Sequence, residues 1–550
     1  MIKDIFKNGS KIFSKRQSSI FSAAAILGFA FSASAFLGIL RDRLLYAKFF
    51  ACCPGQLDAY NAAFRIPDIV FQLLVLGALS AAFIPVFGEE LDKNEEEAYI
   101  TASSVLNLLF IVFLVLGSLI IVFSKPLSSL VAIGFTTQQT YLMSQLMKII
   151  VVSQMFFLFS NFLTSILQTN QRFLVPALAP MIYNLGIILG IQILSPIWGI
   201  WGPTLGVLLG AVLHFLIQLP LVIKLGFRYF PVINLKLTGV KKILALMPPR
   251  TIALAIKELQ ATIILIIGSS LTVGYLSLFY LGQRLTSFFS RVFGVTIGQA
   301  SLPVLSKEAS RKKMSKYKET LFSSFLQAMF LALPTAAIFL ILRIPLVRLA
   351  YGAKEFPWKA TIVTGQVIAF LVPLVVSGTI NDILGRGFYA FQDTKTPLIV
   401  SWVSLIVFII IAVGGSIFSH VGVVVLALAT SISSVVQSLI LMFLLFKKIK
   451  IKKLNRITVP LLKMIISSVA STISVWLLLR GLDLYVFDTT RISGLIGLTS
   501  ISSFGGILVY LSLGLAFQLQ EARAIVKLAK SVLVWPRDIL PIHELPPQVE

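Results

Sequence analysis

The stretch Ala81-Ala82-Phe83-Ile84-Pro85-Val86-Phe87 decides how this chain is interpreted, because the chain contains a second version of it. The echo is Gln299-Ala300-Ser301-Leu302-Pro303-Val304-Leu305, and about ninety residues after each version comes a second pair of landmarks. Residues 168–176 match residues 389–397 in length, with Gln171 aligned to Gln392. The equal intervals predict an internal duplication, and paired repeats around a midplane site are a common plan for secondary transporters.

Composition places the chain in a membrane. Hydrophobic residues make up 57% of the sequence, charged residues 13%, and the mean hydropathy is +0.93, which excludes a soluble globular protein. No small-residue cleavage site follows the first apolar run, so we expect a retained helix there and not a signal peptide. The adjacent Cys52 and Cys53 are the only cysteines, and they predict neither a disulfide framework nor a metal site.

Apolar runs separated by basic or turn-rich breaks predict about fourteen membrane spans. The predicted spans are 20–40, 64–88, 102–124, 145–168, 178–195, 201–225, 250–272, 275–303, 320–344, 361–389, 397–418, 421–446, 457–480 and 493–518. The net charge of +25 sits mainly in loops on one side, as the positive-inside rule requires, so nucleic acid is not an expected partner. Both termini are predicted to be cytoplasmic, and only the acidic loop at residues 89–97 departs from the pattern.

The predicted fold is therefore an all-α polytopic membrane protein, with two six-helix lobes related by an internal repeat and two extra C-terminal helices. The predicted parts are a basic N-terminus (1–19), an N-lobe (20–225), a basic linker (226–249), a C-lobe (250–446), two additional spans (457–518) and a cytoplasmic tail (519–550).

Ionisable side chains inside the second span mark a candidate site, because a charge at mid-bilayer costs at least about 2.5–3.5 kcal/mol on insertion scales. One helical face carries Asp58, Asn61, Arg65, Asp68 and Gln72. Two readings of this face stay open: a binding surface, or an internal Asp58–Arg65 ion pair with a purely structural role.

Arginines in two other spans extend the candidate site. Arg284 and Arg291 lie seven residues apart on span eight with Gly298 continuing their face, and Arg41 lies at the end of span one. Arg41 could instead extend to the membrane interface together with Asp42. The interior excess of arginine over acid points to a phosphate-like anion, since guanidinium binds phosphate through two parallel hydrogen bonds.

Catalytic and cofactor motifs are missing from the sequence. There is no phosphate-binding G-x-x-x-x-G-K-[ST] loop and no H-E-x-x-H, and the three histidines are scattered, so we expect no catalytic residue, metal or cofactor. Glu258, Asn381 and Asp382 lie within or near spans and are candidates for coupling transport to a proton or sodium ion. Helix capping or ion pairing explains these three residues equally well.

The chain resembles the MurJ (MviN) family, the lipid II flippases of the multidrug/oligosaccharidyl-lipid/polysaccharide exporter superfamily. The matching stretches run in family order over residues 20–450. They are 36–42 (FLGILRD), 58–67 (DAYNAAFRIP), 77–85 (GALSAAFIP), 171–173 (QRF) with Pro176 to Pro180, 283–285 (QRL) with Leu302 and Pro303, and 387–390 (GFYA) with 393–397 (DTKTP).

The resemblance implies two lobes around a cationic central cavity, with the last two helices forming a groove for an undecaprenyl tail. Arg41, Asp58 and Arg284 fall on positions that the family uses. Departures from the family pattern occur at four positions: Ala35 and Phe71 with Gln72 replace family arginines, and Leu76 replaces an acid. Arg65 and Arg291 are then expected to carry part of the missing positive charge.

The resemblance further implies a flippase that moves a lipid-linked peptidoglycan precursor to the outer leaflet of the bacterial inner membrane by alternating access. Its expected partners are that undecaprenyl-linked precursor, membrane lipids and the cell-wall synthesis machinery. Export of another polyprenyl-linked oligosaccharide and drug/cation antiport are the alternatives on the same fold. A membrane glycosyltransferase is disfavoured because the outer loops are short and contain few acids, and a scaffold would not need interior arginines.

Overall fold

The computed structural model describes residues 20–77, 83–352, 356–418, 422–451 and 455–533, which form helices joined by short turns, with no strand among them. Among these residues, the five-residue π-helical turns Gln72–Leu76, Gly190–Leu194 and Arg291–Val295 interrupt the helices. The helices are α1 Ile20–Phe49, α2 Pro54–Ala63, α3 Arg65–Phe71, α4 Ile84–Leu91, α5 Glu95–Val122, α6 Ser124–Val131, α7 Thr137–Thr169, α8 Leu174–Leu189, α9 Ser195–Trp198, α10 Trp201–Leu216, α11 Leu219–Lys224, α12 Thr238–Ser269, α13 Tyr275–Ser290, α14 Thr296–Ser310, α15 Met314–Ile341, α16 Arg343–Tyr351, α17 Trp358–Tyr389, α18 Lys395–Phe418, α19 Val424–Lys448, α20 Asn455–Tyr485, α21 Ile492–Ala516 and α22 Gln520–Leu533.

Within the described residues, eleven helical stretches are long and apolar enough to cross a membrane. They are Glu95–Val122, Thr137–Thr169, Leu174–Trp198, Trp201–Lys224, Tyr275–Ser310, Met314–Ile341, Trp358–Tyr389, Lys395–Ile417, Val424–Lys448, Asn455–Tyr485 and Ile492–Ala516. The predicted fold class, an all-helical polytopic membrane protein, is confirmed. The count of fourteen is not, since predicted spans 20–40, 64–88 and 250–272 are not among the eleven.

The later pair of sequence landmarks adopts the same backbone turn in both copies. Gln171 follows α7 with φ 57°, and Gln392 follows α17 with φ 59°. In each turn the backbone N–H of the glutamine donates to the backbone carbonyl three residues earlier. The backbone N–H of the next residue donates to the carbonyl five residues before it. A left-handed residue closing a helix with these two bonds is a common C-terminal cap. The echo seen in the sequence thus corresponds to one helix-ending geometry used twice.

The proline landmarks are also preceded by matching irregularities. A π-helical turn begins thirteen residues before Pro85, at Gln72, and another begins twelve residues before Pro303, at Arg291. Residues 78–82, which include the start of the quoted stretch, lie outside the described residues. A π turn inserts an extra residue into the helix. The π turn Arg291–Val295 separates Gly298 from α13, so the face that the sequence predicted for an unbroken helix stays a prediction.

Polar contacts join loops that the predicted alternation places on the same membrane side. The Lys242 ammonium lies 2.6 Å from the Glu89 carboxylate, so the loops after predicted spans two and six meet. The amide of Gly134 likewise donates to Ser269 Oγ at 3.1 Å, which joins the loop after span three to the end of predicted span seven. The hydrogen bond from Lys242 also holds the pKa of Glu89 below its ordinary value. The acidic loop that departed from the charge pattern thus has a basic partner.

By internal contacts the chain divides into two compact units. The first comprises Met1–Leu285, Ile344–Leu371 and Leu398–Ser433, and the second comprises Thr286–Arg343, Val372–Pro397 and Ser434–Glu550. The lobes predicted at 20–225 and 250–446 follow the sequence repeat instead, and that division stays a prediction.

Glycines bring α8 and α10 of the first unit into close contact. A Cβ added to Gly186 would lie 2.5 Å from Cα of Gly210, so only glycine permits this helix spacing. Close approach through small residues is typical of membrane helix packing. Elsewhere in the first unit, after α1, the sulfurs of Cys52 and Cys53 are bonded to each other, which the sequence did not predict. The bond joins chain neighbours and ties no two helices together.

Candidate anion-binding cavity

A cavity of about 290 Å³ lies within the first unit, walled by five helices and the residue between α2 and α3. It brings together three of the arginines predicted from the sequence, Arg41 on α1, Arg65 on α3 and Arg284 on α13. The lining residues are Arg41, Asp42, Leu45, Tyr60, Asn61, Phe64, Arg65, Asp68, Tyr183, Ile187, Tyr280 and Arg284.

Asp42 is the centre of the charged part of the cavity. Its Oδ1 lies 2.8 Å from Arg41 Nη2 and 2.7 Å from Arg284 Nη1, and Arg41 Nε donates to the same oxygen at 3.0 Å. The Asp42 residue is only 3% exposed. Arg41 thus lines the cavity with its guanidinium on Asp42. Asp42 was considered from the sequence only as a residue at the membrane interface, although an acid next to an arginine in an apolar run was a usable signal for the cavity.

Asn184 holds the Arg41 guanidinium in place. Its Oδ1 accepts a hydrogen bond from Arg41 Nη1 at 3.0 Å, and its Nδ2 donates to the carbonyls of Pro180 at 3.1 Å and Ser34 at 3.2 Å. Because Asn184 is buried and bonded on both sides of its amide, it fixes the direction of the guanidinium. The pair Tyr183–Asn184 in an otherwise apolar span was the sequence signal for this position.

The two charged residues of α3 have separate partners. The Arg65 guanidinium forms an ion pair with Glu258 on α12. Asp68 accepts a hydrogen bond from Gln154 Nε2 on α7 at 2.6 Å. The structural Asp58–Arg65 pair considered from the sequence is therefore not the pairing found. Glu258, a candidate for cation coupling, is the carboxylate partner of a cavity arginine, and its coupling role stays a prediction.

Asp58 does not line the cavity and instead caps the helix that carries Arg284. It is 2% exposed and accepts hydrogen bonds from the Gly274 amide, the Ser277 amide at 2.9 Å and Ser277 Oγ at 2.6 Å. A carboxylate at these amides satisfies the start of α13 and interacts favourably with its dipole. Asp58 therefore positions Arg284 through the helix.

The remaining predicted residues belong to the second unit. Arg291 begins a π-helical turn, and its side chain lies outside the described residues. Asn381 donates from Nδ2 to the Ser434 carbonyl at 3.2 Å, and its Oδ1 accepts from Ser438 Oγ at 2.9 Å. Asp382 packs against Gly294, and a Cβ added to this glycine would lie 2.8 Å from the Asp382 carboxylate. The described residues hold no cluster of three His, Cys, Asp or Glu that could bind a metal.

Comparison with known proteins places this geometry in context. A family model described as "Lipid II flippase MurJ" matches residues 54–534. The chain is similar to a probable lipid II flippase MurJ of Bdellovibrio bacteriovorus, with 28% identity covering 88% of the chain and 92% of the relative. It is also similar to lipid II flippase MurJ of Thermosipho africanus, with 30% identity covering 77% of the chain and 86% of the relative.

Solved structures show the same likeness. A structure of lipid II flippase MurJ in an inward closed conformation aligns with a TM-score of 0.75 and 26% identity, covering 90% of the chain and 98% of that structure. A multidrug-resistance MATE transporter in an inward-facing conformation aligns with a TM-score of 0.59 and 15% identity, covering 76% of the chain and 94% of that structure. At that identity the second likeness shows the fold alone.

Proposed function

The chain belongs to the lipid II flippase MurJ family, and from this membership we propose that it flips a lipid-linked peptidoglycan precursor by alternating access. The single observation that carries the proposal is the convergence of Arg41 and Arg284 on one buried carboxylate oxygen. Two guanidinium groups that share an anionic oxygen are arranged as they would be around a phosphate.

In this proposal the Asp42 carboxylate occupies the position that a substrate phosphate takes when it binds. The pyrophosphate of the precursor replaces Asp42 between the two arginines, and Asn184 keeps the Arg41 guanidinium directed at it. Each partner in such a desolvated charge pair is needed, because removing one leaves a buried charge unpaired and destabilises the protein by about 3–5 kcal/mol. Binding is therefore linked to a rearrangement of Asp42, and that linkage supplies a reason for the cavity to change shape with substrate.

The volume of the cavity supports a closed state. Its 290 Å³ is at the lower limit of the roughly 300–1,000 Å³ typical of small-molecule pockets. A disaccharide carrying a peptide and a pyrophosphate is larger than such a ligand, so the headgroup enters only after the cavity widens. The undecaprenyl tail stays in the bilayer, and we propose that α20 and α21 guide it. These helices contact each other where Ser471 Oγ donates to the Gly506 carbonyl at 2.8 Å.

The protein is a multi-pass membrane protein of a transporter family, and we place it in the bacterial inner membrane with both termini cytoplasmic. No catalytic step is part of the proposal. Glu258, Asn381 and Asp382 remain predictions for cation coupling, and the cell-wall synthesis machinery remains a predicted partner. Flipping of another polyprenyl-linked oligosaccharide uses the same pyrophosphate chemistry and is the alternative that the site favours over drug antiport.

The test is a substrate-accessibility assay in cells depleted of this protein. Lipid II that accumulates in a form shielded from an externally added enzyme supports flipping, and re-expression of the wild type should restore access. Polymerisable lipid II accumulating outside the membrane would instead indicate a missing glycosyltransferase and would overturn the proposal. Normal lipid II access with accumulation of another polyprenyl-linked sugar would favour the alternative substrate.

A further inference from the structure

The cavity that holds the arginines is also rich in aromatic side chains. Tyr60, Phe64, Tyr183 and Tyr280 line it, which makes a third of its lining aromatic. Tyr60 is 4% exposed and serves as a wall, whereas Tyr183 and Tyr280 are only partly buried and present accessible surface. Pyrophosphate binding by arginine uses none of these rings, so the proposed anion site leaves them without a role.

The Tyr183 ring is held from behind by a series of aromatic contacts. Phe157 on α7 packs edge-on against it with ring centroids 5.0 Å apart, and His214 on α10 packs against Phe157 at 5.3 Å. Helices α8 and α10 are so close at Gly210 that a Cβ added to this glycine would lie 2.8 Å from Tyr183 Cδ2. A ring fixed in this way loses little further freedom when a ligand packs on it.

Tyr183 is also adjacent in sequence to the residue that directs Arg41. Asn184 binds the Arg41 guanidinium at 3.0 Å, so one turn of α8 positions both a cavity arginine and a cavity ring. A group covalently attached to a phosphate at Arg41 would therefore lie in the cavity that Tyr183 lines. In the proposed substrate class, the group next to the pyrophosphate is a sugar.

We propose that Tyr183 and Tyr280 form a carbohydrate subsite that packs against the sugar joined to the pyrophosphate. This proposal rests on the proposed function and deepens it. A pyranose ring has an apolar C–H face, which packs against the face of an aromatic ring. Arginines alone bind any polyprenyl pyrophosphate, whereas a sugar subsite discriminates the glycosylated precursor from the bare carrier lipid.

The experiment measures binding of three lipids with one common tail to the purified full-length protein by native mass spectrometry. The lipids are undecaprenyl pyrophosphate, the monosaccharide-linked precursor and the disaccharide-linked precursor. Tyr183→Ala should weaken binding of both glycosylated lipids about five- to tenfold while leaving undecaprenyl pyrophosphate within about twofold of wild type. Tyr183→Phe should resemble wild type, because the ring face makes the contact. Tyr141→Ala, which removes a surface tyrosine that is 58% exposed, is the matched control.

The possible outcomes distinguish failure of the subsite proposal from a folding defect and from failure of the proposed function. Equal loss for all three lipids in Tyr183→Ala would show that the ring acts through Arg41 or folding, and would overturn the subsite. No loss for any lipid, or a Tyr183→Phe variant as weak as Tyr183→Ala, would overturn it too. Wild-type protein that binds undecaprenyl pyrophosphate but prefers no glycosylated lipid would overturn the subsite alone. Wild-type protein that binds none of the three would overturn the proposed function as well.

Discussion

Replacing Arg284 with alanine separates anion binding from structural pairing. Arg284 lies 2.7 Å from Asp42, and its side chain is 41% exposed whereas that of Asp42 is 5% exposed. In the Arg284→Ala variant Asp42 keeps Arg41 as a partner at 2.8 Å, so no buried charge is left alone. The folding cost should therefore stay below the roughly 3 kcal/mol expected for an orphaned buried ion. We expect near-normal protein abundance.

Transport should respond far more strongly than abundance. Losing one partner of a desolvated charge pair with substrate costs about 2–5 kcal/mol, which is at least about a thirtyfold loss of binding. Arg284→Lys should restore transport only in part, since an ammonium cannot make the paired hydrogen bonds of a guanidinium. The assay is the substrate-accessibility measurement in depleted cells, with immunoblotting of the membrane fraction for abundance.

A double variant decides whether Arg284 merely neutralises Asp42. If neutralisation is its whole role, Arg284→Ala combined with Asp42→Asn removes both charges and should recover transport. If Arg284 binds the pyrophosphate, the double variant stays inactive at an abundance no lower than that of Asp42→Asn alone, which is the control for leaving Arg41 without a carboxylate. Recovery by the double variant, or normal transport in a stable Arg284→Ala protein, would refute the assignment of the anion site.

Three further outcomes are expected. In a cysteine-free background, a cysteine at Lys312 should be shielded from a membrane-impermeant reagent and one at Asp488 should react; labelling of both from outside would contradict the predicted topology. Glu258→Gln should lower abundance because it leaves the Arg65 guanidinium without its carboxylate, and unchanged transport with unchanged ion dependence would remove Glu258 as a coupling residue. Asp58→Ala should lower the thermal stability of purified protein by about 1–3 kcal/mol, since amides at the start of α13 lose their acceptor; an unchanged melting curve would contradict the capping role.

The features that predicted the fold are local, because each can be recognised within one segment of the sequence. Hydropathy identified the apolar runs, and the aligned Gln171 and Gln392 proved to share one left-handed helix ending. The span count was less predictable from the sequence. Predicted spans 20–40, 64–88 and 250–272 are not among the eleven found within the described residues, so the count of fourteen stays a prediction.

The partners within the site were not predictable, for a physical reason. A helical wheel shows which residues share a face of one helix, but not which neighbouring helix that face meets. Asn61, Arg65 and Asp68 were placed on one face correctly and all line the cavity. Their partners come from elsewhere: Glu258 lies 193 residues after Arg65, and Gln154 lies 86 residues after Asp68.

Charge balance inside the cavity sets what it can bind. Three arginines and two aspartates line the cavity, and Glu258 pairs with Arg65 from outside the lining, so the charges balance and each arginine already has a carboxylate partner. The absence of the family arginines at Ala35 and Phe71 is consistent with this restrained balance. A singly charged anion would gain little by displacing Asp42, because it only replaces one negative charge with another. A pyrophosphate carries enough charge to engage Arg41 and Arg284 and compensate for the displaced carboxylate. We therefore expect a cavity of paired arginines to favour a multiply charged headgroup over the simple anions of the cell, because Asp42 competes with any anion for the two guanidinium groups.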